Sequence, residues 1–100
     1  MRRTTLPGLI NVGFQKITLN STATALNSTC RAGRVFVFSV ETQSVRATFD
    51  GSTPAASTGV LFTSDSSPFI LDGVDGSTIK LARTAAGAIV NIQAFKYPGQ

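Results

Sequence analysis

Short apolar runs alternate with turn signals from Gly13 to the end of the chain. That spacing predicts an antiparallel sandwich or barrel and no long helix. In "FQKITLN" Ile17 and Leu19 share one face and Lys16 and Thr18 the other, as in a half-buried strand. "STATALNSTCRAGR" then reads as a polar excursion anchored by Ala25 and Leu26. "RVFVFSVET" carries Val35, Phe36, Val37 and Phe38 in succession, so it is apolar on both faces and predicts a central strand covered on two sides. One side should meet the chain's own core. The other needs a long loop or a neighbouring subunit, which makes Phe36 and Phe38 candidates for a subunit interface. "SVRATFDG" alternates, with Val45, Ala47 and Phe49 opposed to Arg46, Thr48 and Asp50. "VLFTSD", "PFILDG", "STIKLAR" and "AIVNIQAFKY" complete seven or eight short strands. The fold class predicted is all-β: a single antiparallel β-sandwich of jelly-roll or immunoglobulin-like order.

The first dozen residues differ in kind. In "MRRTTLPGLINVG" Pro7 and Gly8 oppose both a helix and a strand ladder, while Leu6, Leu9 and Ile10 are apolar enough to need cover. The division predicted is an N-terminal arm over residues 1–12, reaching onto a neighbour, and a β-sandwich domain over 13–100. One hundred residues suffice for one domain.

Composition sharpens the picture. The chain is 42% hydrophobic and 14% charged, against roughly 25% charged in an average domain. Ser, Thr, Asn and Gln fill the gap, which suits surfaces that lie against other protein. The net charge is +4, yet only Arg2 and Arg3 are adjacent among the cations, so nucleic acid is not an expected partner and an acidic protein surface is. No run approaches the roughly 20 apolar residues of a membrane span, and the basic start lacks a signal peptide's apolar core, so synthesis in the cytoplasm is expected.

Candidate chemistry is sparse. Without histidine there is no Ser-His or Cys-His pair, and the five acids Glu41, Asp50, Asp65, Asp72 and Asp75 are spread over different strand ends. Catalysis is therefore not predicted. Cys30 has no disulfide partner and reads as a small buried apolar residue. "LDGVDGST" resembles a fragment of a calcium turn but lacks the further ligands, so two Asp-Gly turns explain it and no metal or cofactor is expected.

The most elaborate stretch is "FDGSTPAASTG", Phe49 to Gly59. Asp50-Gly51 can close a strand at positive φ, Pro54 fixes φ, and the hydroxyls can cap backbone groups that no ladder satisfies. Arg46, always charged and rich in donors, is expected to tie this loop down through Asp50 or backbone carbonyls. The spacing VR-x-x-x-DG-x-x-P-x-x-S-x-G, here Val45, Arg46, Asp50, Gly51, Pro54, Ser57 and Gly59, sits after the double-sided strand and before "PFILDG" and "AIVNIQAFKY". In that setting it resembles small β-rich structural proteins of tailed bacteriophages, over about Thr18 to Tyr97. The resemblance implies a virion component. The leading expectation is a capsid decoration (cement) protein, trimeric by preference, that binds the major capsid protein through Arg2, Arg3, Leu6, Leu9 and Ile10. The alternatives are a neck, tail or fibre-base component, or a host-recognition module.

Overall fold

The computed structural model describes residues 8–66 and 68–98. Eight strands follow in order: β1 Ile10–Thr18, β2 Thr24–Ala25, β3 Val35–Glu41, β4 Val45–Thr48, β5 Val60–Phe62, β6 Phe69–Asp72, β7 Lys80–Arg83 and β8 Ile89–Lys96. They form two four-stranded antiparallel sheets, one in the order β1-β8-β3-β6 and the other in the order β2-β7-β4-β5. First pairs with last, second with seventh, third with sixth and fourth with fifth. This is one long antiparallel hairpin rolled up, a jelly roll. In the immunoglobulin-like order β1 would lie beside β2, so strand order decides between the two sandwiches expected from sequence.

The alternation read along the chain sets the core. Ile17, Phe36, Phe38, Val40, Val90, Ile92 and Ala94 face inward from the first sheet, and Val45, Ala47, Phe62 and Leu81 from the second. Phe62 is the hub of the aromatic packing. Its ring centroid lies 5.0 Å from Phe38, 4.6 Å from Phe69 and 6.1 Å from Phe49, each edge to face, the arrangement the ring quadrupole favours. Among the described residues no polar or charged residue is buried, so the sandwich is closed by apolar contact alone.

Two findings depart from the sequence reading. Phe36 and Phe38 are 1% and 3% exposed and occupy the domain's own core, so neither can form a subunit interface. The outward side of β3 starts with Val35 and Val37 instead, because side chains alternate along a strand; Val35 is itself buried and Val37 half-buried. Ile10 to Val12, expected in the arm, belong to β1, which begins at Ile10.

The stretch read as a polar excursion holds β2 and one helical turn, α1 Ser28–Arg31. Asn27 caps it, its side-chain oxygen accepting from the Cys30 amide at 2.8 Å. Cys30 is fully buried, and burial pushes its thiol pKa up, as an inert packing residue requires. The turn lies so close to β1 that a Cβ on Gly13 would come within 2.6 Å of Thr29 Cγ2. Beside it β1 slips register between Asn11 and Gly13, leaving Val12 as the extra residue of a bulge on an edge strand.

Candidate binding surface

The outer side of the second sheet is organised by Arg46. On β4 it stands opposite Leu61 of β5 and Ala82 of β7, all three pointing away from the core. Its Nε donates to Ala56 O at 3.4 Å and a terminal nitrogen donates to Gly59 O at 3.1 Å. Of the two anchors expected for this guanidinium, carbonyls receive it and Asp50 does not. The loop between β4 and β5 is thus held at both its middle and its end.

Local chemistry keeps the loop in one shape. The Asp50 carboxylate accepts from the Ser52 amide at 3.0 Å and from the Ser52 hydroxyl at 2.6 Å, an Asx turn. The Ser52 hydroxyl, and then the amide, hold the Asp50 pKa below the usual carboxylate value. Gly51 follows at φ 87°, which a side chain would strain. Its amide donates to Thr78 O at 3.1 Å, while Thr78 Oγ1 donates to Phe49 O at 2.8 Å. Further on, Ala55 and Thr58 exchange backbone bonds at 2.9 and 3.2 Å, and Pro54 is buried. Gly59, at φ 124°, lets the returning chain cross β4, where a Cβ would meet Ala47 O at 3.1 Å.

The loop forms one wall of an open cleft of about 590 Å3. Residues 21–23 and 84–86 supply the others, and Ala82 lies within it, covered. Methyls of alanine and hydroxyls of Ser21, Thr22, Thr53 and Thr84 dominate the lining. Arg83 is the one charged residue along it. Among the described residues Arg83 makes no hydrogen bond or ion pair. Such a cleft can seat an extended segment, since small side chains allow backbone to approach closely.

Charge is segregated between the sheets. The strands of the second sheet carry Arg46, Lys80 and Arg83 and no carboxylate, a net of +3. Those of the first carry Lys16 and Lys96 against Glu41 and Asp72, a net of zero. Sequence reasoning saw only dispersed cations, because β4 and β7 are distant in the chain and adjacent in the sheet.

The other expected site residues scatter. Arg2, Arg3 and Leu6 lie outside the described residues. Leu9 is half-buried, and Ile10 is exposed at the start of β1, across from Lys96. In "LDGVDGST" the carboxylates serve local structure. Asp75 accepts from the Ser77 amide and hydroxyl and lies 3.7 Å from Arg34, while Asp72 accepts from the Tyr97 hydroxyl. No cluster of three metal-ligating side chains occurs among the described residues, and no helix among them is long and apolar enough to cross a membrane. No family model, curated protein or solved structure matches the chain.

Proposed function

We propose that this chain is a structural protein of a tailed-bacteriophage virion, a decoration protein that docks on the assembled head shell and stabilises it. The resemblance carried by Val45, Arg46, Asp50, Gly51, Pro54, Ser57 and Gly59 supports the class. The observation that carries the mode of action is the second sheet: a braced loop and an open cleft on its outer side, and three cations with no acid among its strands. A face of that kind suits an acidic shell surface by shape and charge, without chemistry. Each copy would bind the assembled shell in preference to free subunits, so its binding free energy would add to shell stability by mass action. A lattice of copies would multiply that effect.

The test is the ratio of this protein to the major capsid protein in purified particles, by quantitative mass spectrometry. A ratio of order one is expected. A ratio of a few per cent would transfer the protein to the neck, tail or fibre base, and its absence from particles would overturn the virion reading.

A further inference from the structure

The outer face of the first sheet carries apolar side chains on all four strands, those of β1, β3 and β6 in one row with Gln93 of β8 among them. Phe14 of β1 stands opposite Gln93 of β8, Gln93 opposite Val37 of β3, and Val37 opposite Ile70 of β6. Phe14 and Ile70 are 58% and 54% exposed. Phe95, half-buried, lies in the next row of the same face, opposite Asn11 and Val35. From the geometry we infer that this face is a self-association surface, on which a second copy of the chain docks face to face.

Two observations select a second copy. The first is charge. A molecule of net +4 repels its own kind, and the second sheet, at +3, is the costly side on which to meet; the first sheet sums to zero, so copies approach there with least repulsion. The second is hydration. Most polar side chains of this face are already engaged with one another: Asn91 donates to Glu41, Gln93 donates to Asn11 and to Gly13 O, and Tyr97 donates to Asp72 across β3. Lys16, opposite Asn91, stands on the edge strand β1, where its long stem lets the ammonium stay in water. Covering groups that keep their hydrogen bonds costs little, whereas covering unpaired ones is expensive.

Size sets the strength. Four strands ~4.8 Å apart span about 19 Å, and the rows from Asn11 to Thr18 about 23 Å, so a copy offers on the order of 400 Å2 of plan area. Stable complexes bury roughly 800 Å2 per partner. The dimer is therefore weak in free solution and gains weight where copies are held close, as on a lattice. The contact itself does not depend on the virion reading.

The experiment is sedimentation equilibrium of the full chain from about 10 μM to about 1 mM, at low and at high salt. The mass-average is expected to rise from 10.5 kDa toward twice that value, and to rise more steeply in salt, because screening removes repulsion between like-charged copies without touching an apolar contact. The double substitution Phe14→Asp with Ile70→Asp should hold the protein at monomer mass with its circular dichroism unchanged, both side chains being exposed. Leu61→Asp, an equivalent change on β5 of the other sheet, should leave association intact. A wild-type monomer at every concentration would overturn the inference. So would association that survives the double substitution, or that Leu61→Asp abolishes.

Discussion

Replacing Arg46 by alanine removes the side chain that ties the second half of the loop between β4 and β5, at Ala56 and Gly59, to the sheet beneath it. The bonds at stake are a good one, to Gly59 O at 3.1 Å, and a long one, to Ala56 O at 3.4 Å. Hydrogen bonds from a charged donor contribute about 1.5–3 kcal/mol when shielded. Arg46 is half-exposed, so water replaces part of the loss and about 1–2 kcal/mol is the reasoned cost for the pair. For a domain of this size each kcal/mol lowers Tm by roughly 4–8 °C, so Arg46→Ala should melt about 4–16 °C below wild type. Arg46→Lys keeps the charge but reaches one carbonyl at best, and should fall between the two. Calorimetry measures the Tm values, and amide exchange locates the loss: protection should fall at Ala55 and Thr58, whose mutual bonds depend on the loop's shape, and persist in β8. Arg46→Ala with unchanged Tm and unchanged protection would refute the bracing role.

Gly76→Val should be among the most damaging single changes, because a Cβ there would lie 2.8 Å from Arg31 O, 2.9 Å from Cys30 O and 2.9 Å from Phe36 Cζ, two of them backbone atoms; loss of soluble, cooperatively melting protein is expected on expression. Phe62→Ala removes the hub of the aromatic cluster and should cost about 3–5 kcal/mol by urea denaturation, while Phe14→Ala, at an exposed position, should stay within about 0.5 kcal/mol. The carboxyls of Asp50 and Asp75 both have folded pKa values below the ordinary value, through the bonds from Ser52 and from Ser77 respectively. A depressed folded pKa stabilises above the unfolded pKa, about 3.9, so stability should be level near neutrality and decline as pH falls through and below about 4. Asp50→Asn with Asp75→Asn should flatten that decline in a pH series of melting curves.

Particular residues show how much could be read in advance. The alternation around Ile17, Leu19, Val45 and Ala47 grouped residues that all turn inward, because a period of two survives whatever strand lies alongside. Gly51 and Pro54 marked the loop, since positive φ and a fixed φ are local demands. β3 was the instructive miss. Four apolar residues in a row announce two covered faces without saying which residue belongs to which, and Phe36 and Phe38, the largest, went to the closed side. Asn27 was likewise legible as polar but not as the cap of α1, because one turn of helix is too short to show its period.

By itself, then, the sequence determined what depends on neighbouring residues: strand class, the inward set, the Asp-Gly turns, and the lack of histidine that removes the commonest general base. The tertiary structure alone decided what depends on distant ones. Pairing β1 with β8 and β4 with β7 made the sandwich a jelly roll. The same pairings brought Arg46, Lys80 and Arg83 into one sheet and aligned Phe14, Val37 and Ile70 across the other. Those juxtapositions arise from strand order and register, which are settled by how two sheets bury their apolar faces together and are not written in any single segment.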